Sequence, residues 1–237
     1  MLKTLCTLLA TCCAVAAASA ADPLSADHGD SMVYAKYSHP YGRTINGWAN
    51  LSMQWIYQEP YSQNPYFDPT GEYCGVGQSG PVWYVAPIFA PTPGSYTRSC
   101  TIPHDKSILF QVGWVADTWP CPDPTFGPAP GQSLYDFLYT NSETYFSNVT
   151  VSVTLDGKPI HDAVDYHYIS DSLNAIKGDL SLQANFDPCI TGNYQEIVTN
   201  GWFLMFKPLS PGVHTIVSTT TNMGMMMNTF TYYLTIE

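Results

Sequence analysis

Short apolar runs between turn residues are the feature of this chain that most limits its fold. The 19 prolines and 17 glycines recur between segments rich in Val, Ile, Thr, Tyr and Phe, and long helical periodicity is missing. Along Val149–Leu155 the apolar residues fall at every second position, which buries one face of a strand, and Asp156-Gly157 then supplies a turn. The pattern predicts an all-β protein: an antiparallel β-sandwich of jelly-roll type with long Pro-rich loops and at most one short helix.

The same alternation places the expected elements along the chain. We expect strands at residues 81–87, 107–115, 148–155, 201–206, 212–220 and 229–237. Residues 117–132 contain five prolines and indicate a long surface loop, and residues 132–143 are expected to hold the one short helix. No repeat or linker separates two cores, so residues 48–237 are expected to form a single β-sandwich domain.

The amino terminus has the pattern of a secretory signal. Lys3 precedes an apolar run that ends at Ala18-Ser19-Ala20, which fits a small-x-small cleavage site. We expect residues 1–20 to be removed and residues 21–47 to form a partly flexible N-terminal extension. The apolar run is too short for a membrane span of about 20 residues. The sequence therefore predicts a secreted, extracellular or periplasmic protein with no transmembrane anchor.

Cysteine usage is typical of the same compartment. After removal of the signal, the chain keeps four cysteines, Cys74, Cys100, Cys121 and Cys189, with no close CxxC spacing. Four cysteines in an oxidising compartment predict two disulfides with three connectivities. Loop entropy weakly favours closure between neighbours, which predicts Cys74–Cys100 and Cys121–Cys189. The sequons at Asn50 and Asn148 are glycosylation acceptors in a host that uses them.

Composition excludes two classes of protein. Hydrophobic residues make up 45% of the chain and aromatic residues 14%, which is too apolar for a disordered protein. The 19 acidic residues outnumber the 8 basic ones, giving a net charge of −11. This balance excludes a nucleic-acid partner, because phosphate binding needs clustered Lys and Arg.

Several motifs, in a fixed order, carry a resemblance to a known family. They are Asp68-Pro69-Thr70-Gly71 with Cys74, Gly80-Pro81-Val82-Trp83, Arg98-Ser99-Cys100-Thr101-Ile102-Pro103, Leu155-Asp156-Gly157 and Leu209-Ser210-Pro211-Gly212-Val213-His214-Thr215-Ile216. Over most of residues 48–237, the chain resembles a family of uncharacterised exported bacterial β-sandwich proteins. The resemblance implies export, one domain and a β fold, and it implies no activity.

One segment offers ligands for a metal ion. On a strand, His161, Asp165 and His167 would share a face, and two imidazoles with a carboxylate suit zinc or another divalent metal. A solvated strand face gives the same alternation without a metal, and we favour that interpretation. Methionines at residues 223–227 suit Cu(I), but packing or a flexible hairpin tip is the preferred interpretation. No cofactor is expected, and a divalent metal is the alternative.

Aromatic residues are the best candidates for ligand contact. Tyr and Trp combine a flat apolar face with a polar tip, which suits surfaces that stack on a ligand and also hydrogen-bond to it. The candidates expected to be exposed are Trp55, Tyr57, Tyr61, Tyr66 and Trp119. Low charge favours a neutral ligand, so carbohydrate or another surface polymer is the expected partner.

The sequence is compatible with three functions. We favour a secreted, non-catalytic recognition or surface-associated protein, because no Gly-x-Ser-x-Gly elbow, lone cysteine beside a histidine or Ser-x-x-Lys pair is present. The first alternative is a metal- or carboxylate-dependent hydrolase, which predicts a bound metal or a cleft that holds a carboxylate with a raised pKa. The second is a structural envelope or matrix component, which predicts self-association through apolar patches.

Overall fold

Two mixed β-sheets contain most of the regular secondary structure of the described residues. The computed structural model describes residues 32–146, 148–222 and 225–237. In this part the strands are β1 (Val82–Val85), β2 (Gly94–Ile102), β3 (Ser107–Trp119), β4 (Val149–Leu155), β5 (Lys158–Pro159), β6 (His167–Ile169), β7 (Asn174–Lys177), β8 (Tyr194–Phe206), β9 (Gly212–Asn222) and β10 (Met225–Ile236). The α-helices are α1 (Ile45–Gln58), α2 (Leu134–Glu143) and α3 (Ser181–Asn185).

The central sheet has the strand order β1-β3-β8-β6, and β7 pairs with β8 beside β6. β1 runs parallel to β3, while β3, β6 and β7 are antiparallel to β8. The outer sheet has the order β2-β10-β9-β4-β5, in which β2 and β10 are parallel and the other pairs are antiparallel. Each sheet therefore contains one parallel pair.

The central sheet is covered on both faces. Phe110 and Leu204 pack towards the outer sheet, where they join one core with residues such as Tyr232. On the opposite face, Met53 of α1 packs in a second core with Phe203. A strand between two cores is covered on both faces, so its side chains are shielded from water on either side. This is why β8 is buried without interruption from Ile197 to Phe206.

The predicted β-rich fold is confirmed, and the predicted antiparallel arrangement is wrong at the β1–β3 and β2–β10 pairs. A jelly-roll connectivity is not confirmed. The expectation of at most one short helix is also wrong, because α1 spans 14 residues and α3 is an additional helix. The helix expected within residues 132–143 is present as α2, and each of the six expected strands overlaps an observed one.

The chain is already packed before the domain boundary expected at residue 48. Val33 is buried and forms a β-bridge with Phe206, and α1 begins at Ile45. The Thr44 hydroxyl accepts a hydrogen bond from the Gly47 N–H at 3.0 Å and caps α1. Residues 1–31, including the predicted signal at 1–20, lie outside the described residues.

Both expected disulfides, Cys74–Cys100 and Cys121–Cys189, are present. The first joins the segment after α1 to β2, and the second joins the loop after β3 to the segment between α3 and β8. Within the described ranges, no helix has the length and apolar character needed to span a membrane.

Candidate functional site

The candidate site is built on one side of β3. β1 pairs only with Ser107–Phe110 of β3 and ends at Val85. Pro87 follows shortly after, and proline has no N–H to donate to a strand ladder. In the part of the chain that the structure describes, no other strand pairs with this side of β3 beyond Phe110. We call this side, from Gln111 to Trp119, the free edge.

Two adjoining cavities follow the free edge. The first, of about 260 Å³, is lined by residues 112–114, and the second, of about 510 Å³, is lined by residues 114–118. Successive side chains of a strand point to opposite faces, so an unbroken run of lining residues indicates that the cavities follow an edge rather than a face. The cavities share Tyr66, Trp114 and Tyr145. Together they form the edge cleft.

The smaller cavity is mainly apolar and opens between the two sheets. Ile88, Val112, Trp202 and Phe230, all buried, contribute to its lining. The Trp202 indole N–H donates to the Val164 carbonyl at 2.9 Å, so this ring is fixed. We call this space the apolar cavity.

Aromatic rings that pack on one another support the middle of the cleft. The Tyr66 ring lies 5.2 Å from the ring of Trp114 and 5.4 Å from the ring of Phe186, measured between centroids. The Trp114 indole N–H donates to Gln111 Oε1 at 2.7 Å. Burial raises the pKa of Tyr66 to about 12, so its hydroxyl stays protonated at neutral pH. These contacts hold the rings in place before any ligand arrives.

Two aspartates line the larger cavity, which we call the acidic cavity. Burial raises the pKa of Asp117 to about 6; a hydrogen bond from Asn141 lowers it, and the charge of Asp187 raises it further. Burial also raises the pKa of Asp187, against the lowering effect of the Cys189 N–H, which donates to its Oδ1 at 2.8 Å. The cavity therefore holds two carboxyl groups that lose their protons at a higher pH than ordinary aspartates do.

Two polar atoms at this cavity have no hydrogen-bond partner within the described residues. They are Asp117 Oδ2 and the hydroxyl oxygen of Thr118, a residue with 1% of its surface exposed. Thr118 and Asp117 both line the cavity. Buried polar groups are normally paired, so these two atoms leave hydrogen-bonding capacity unused in the wall of the cavity.

The five aromatic residues predicted to bind a ligand are dispersed. Trp55 and Tyr57 are 5% and 1% exposed, so the expectation that they lie on the surface is wrong. Both belong to the buried face of α1, where the Trp55 indole N–H donates to the Val76 carbonyl at 2.8 Å. Tyr57 still reaches the acidic cavity, and Tyr66 lines both cavities.

Tyr61 and Trp119 lie outside the residues that line the cleft. Tyr61 is exposed and packs against Phe67, with 4.7 Å between the ring centroids. The Trp119 ring is half-buried and packs so closely over Gly127 that a Cβ there would lie 3.0 Å from it. Neither position contradicts ligand contact, which stays a prediction for both residues.

The predicted metal triad is not assembled. Residues 163–165 form a 3-10 turn rather than part of a strand, because Asp162 adopts a left-handed conformation with φ 57°. His161 and Asp165 are exposed, whereas His167 stacks on Trp202 and its Nε2 lies 2.6 Å from Asn200 Oδ1. Across the described ranges, no group of three or more His, Cys, Asp or Glu residues is placed to hold a metal ion. The side chains of residues 223 and 225–227 lie outside the described part of the structure.

The two sequons differ in their surroundings. Asn50 lies on α1, its Oδ1 accepts a hydrogen bond from the Ser170 hydroxyl at 2.8 Å, and Ser52 of the same sequon is fully buried. Asn148 is exposed before β4, with φ 62°. Asn148 is therefore the more accessible acceptor.

A Ser-His-Asp cluster lies on the outer sheet. His214 Nδ1 is 2.7 Å from Asp156 Oδ2, and His214 Nε2 is 2.9 Å from the Ser210 carbonyl and 3.4 Å from the Ser210 hydroxyl. A carboxylate and a carbonyl accept hydrogen bonds only, so both imidazole nitrogens must donate to them. Such a doubly protonated ring has no free lone pair to activate Ser210, which a nucleophilic triad requires. In this arrangement the cluster fastens a turn.

Comparison with known proteins assigns no family. No family model matches the chain, and no curated protein matches it. The solved structures that it matches include a cysteine protease inhibitor from Entamoeba histolytica (11% identity, 62% of this chain, all of that chain, TM-score 0.22). They also include PbICP-C in complex with falcipain-2 (11% identity, 67% of this chain, all of that chain, TM-score 0.25) and amebosin (12% identity, 62% of this chain, all of that chain, TM-score 0.21). Scores this low support no statement about this chain, and the family resemblance stays a prediction.

Proposed function

We propose that this chain is a secreted, non-catalytic recognition protein that holds an extended polymer in the edge cleft. The main support for this proposal is that consecutive residues 112–118 of β3 all line the cleft. A groove along a strand edge is long and narrow, which suits a chain-like ligand better than a compact one. The two disulfides and the secretory pattern of residues 1–20 support an extracellular setting.

Two polymer classes fit such a groove. A glycan would stack its sugar faces on rings such as Tyr145, which is 56% exposed and lines both cavities. An extended peptide would pair its main chain with the free edge. Few charged residues and an aromatic lining are compatible with both classes.

A carboxylate-dependent hydrolase is the second candidate. It is favoured by Asp117 and Asp187, since acids with raised pKa values in a cleft suit general acid catalysis. Hydrolysis of a bound glycan would release reducing ends, and binding alone would not. Assaying reducing ends between pH 4 and 8, with Asp117→Asn as control, separates the two candidates.

Retention on immobilised polymers tests the proposal. The probes are cellulose, chitin, peptidoglycan and an array of extended peptides. Tyr145→Ala should weaken retention about fivefold, the equivalent of about 1 kcal/mol for one aromatic contact. Tyr194→Ala is the matched control, because Tyr194 is 77% exposed and lines neither cavity of the cleft.

Two results would contradict the proposal. One is no retention on any of these probes. The other is an equal loss for Tyr145→Ala and Tyr194→Ala, which would place binding outside the cleft.

A further inference from the structure

The free edge of β3 lacks the usual protection against strand pairing. Exposed edges in soluble proteins are commonly blocked by lysine, proline or very short strands. Residues 111–119 include no lysine and no proline, and their one charged residue is Asp117. In an antiparallel pair, every second residue directs both its N–H and its C=O away from the partner strand. Along the free edge, these groups have no partner strand among the described residues.

We propose that the edge cleft binds an extended peptide segment of a partner protein, which adds to β3 as a strand and places a basic side chain between Asp117 and Asp187. The inference rests on the proposed function, because it names the polymer class that the cleft holds. Strand addition obtains affinity from main-chain hydrogen bonds and selectivity from side-chain pockets.

Charge favours a basic peptide over a neutral glycan. Asp117 and Asp187 are partly buried in the same cavity, and each raises the pKa of nearby groups through its negative charge. Glycan hydroxyls would donate hydrogen bonds but would leave the two like charges uncompensated. An arginine guanidinium supplies positive charge and several N–H donors in a planar fork that matches carboxylate groups.

The spacing of the two cavities sets the spacing of the peptide anchors. The β3 residues that line the apolar cavity are 112–114, with Gly113 in the middle, and those that line the acidic cavity are 114–118, with Ala116 in the middle, three residues further along. Three residues of extended chain span roughly 10 Å. We therefore expect the partner segment to carry a large apolar residue and a basic residue three positions apart.

Calorimetric titration of the full chain with synthetic peptides tests this inference. The probe is a peptide of about ten residues that alternates Thr and Val and carries Phe and Arg three positions apart. One comparison peptide has Glu in place of Arg. Two further comparison peptides are N-methylated at alternate amides, one in each register, so that N-methyl groups block pairing along an edge. Soluble chitin and cellulose oligomers form the glycan arm.

We expect the Arg peptide to bind at least tenfold more tightly than the Glu peptide and than the N-methylated peptides. The Asp117→Asn, Asp187→Asn double variant should lose the preference for Arg over Glu, while Tyr194→Ala should keep it. Equal binding of the N-methylated peptides would overturn strand addition. Binding of the glycan oligomers without any peptide would overturn this inference but leave the proposed function standing, and binding of neither class would overturn both.

Discussion

At the scale of single residues, Asp156 and His214 show that residues of a Ser-His-Asp cluster can stabilise the fold. Asp156 lies in the turn after β4, and its two carboxylate oxygens accept hydrogen bonds from the His214 ring and from the Thr215 N–H. These contacts join that turn to the start of β9. Partial burial lowers the pKa of His214. The hydrogen bonds to Asp156 and Ser210 together raise it by more than burial lowers it, so the net effect is a raised pKa.

The raised pKa of His214 predicts a pH-dependent contribution to stability. A group that is more basic in the folded state stabilises it fully below the unfolded pKa of about 6.5, and the contribution disappears as pH rises through the folded value. His214→Ala should therefore lower the free energy of unfolding by about 1 kcal/mol at pH 6 and by less at pH 9. Urea unfolding across this range measures the difference. The exposed His161, replaced by Ala, is the control, and an equal pH trend in both variants would contradict the prediction.

At the scale of elements, the Cys121–Cys189 disulfide connects the two parts of the acidic cavity. Cys121 follows β3, which carries Asp117, and Cys189 donates its N–H to Asp187. The other disulfide, Cys74–Cys100, lies with its Cys100 end in the core between the sheets. The two bridges should therefore affect the cleft differently.

Removing each bridge as a Cys→Ser pair tests this difference. The bridges close loops with sequence separations of 68 and 26 residues. Loop entropy then predicts that the free energy of unfolding falls by roughly 4.4 kcal/mol without the longer loop closure and by roughly 3.5 kcal/mol without the shorter one. Only the Cys121→Ser, Cys189→Ser variant should also weaken ligand retention under conditions where it is folded, as checked by circular dichroism. Equal retention by both folded variants would show that the bridge does not hold the cleft.

Local patterns predicted most of the strands, because alternation is visible wherever one face is buried, as in Val149–Leu155. Helix α1 was missed although Ile45, Ala49, Met53 and Ile56 have helical spacing. Its Trp and Tyr residues also favour strands, which conceals the period. The parallel β1–β3 and β2–β10 pairs could not be predicted, since nothing local to a strand specifies a distant partner.

The sequence indicates only part of the candidate site, because the site also depends on contacts between residues that are distant in sequence. Asp117 is the one charged residue within residues 107–119, and the predicted Cys121–Cys189 bridge would bring it towards Asp187. The free edge depends on where β1 stops pairing with β3, which is a tertiary property. Residue type alone predicts ligand contact for Tyr66, whereas Trp114, which also lines both cavities, is not among the predicted residues.

At the scale of the whole molecule, the acidic cavity should reduce stability. A carboxylate whose folded pKa is raised stabilises the folded state only when protonated. As pH rises from the ordinary value of 3.8 to about 6, the unfolded chain ionises Asp117 before the folded protein does, and stability falls. Above pH 6 the loss is constant. Natural proteins commonly accept such losses at functional sites.

Asp117→Asn should therefore make the protein more stable at neutral pH while weakening binding of a basic ligand. We expect the free energy of unfolding to rise by about 1 kcal/mol at pH 7.5, less than the full pKa shift implies because solvent screens part of the charge. At pH 3.5 the gain should vanish, because Asp117 is then largely protonated in both states. Asp123→Asn is the control: hydrogen bonds from the Thr125 N–H and hydroxyl lower the pKa of this exposed aspartate, so its replacement should not stabilise. Urea unfolding at both pH values measures these effects, and a loss of stability in Asp117→Asn at pH 7.5 would mean that Asp117 serves the fold rather than a ligand.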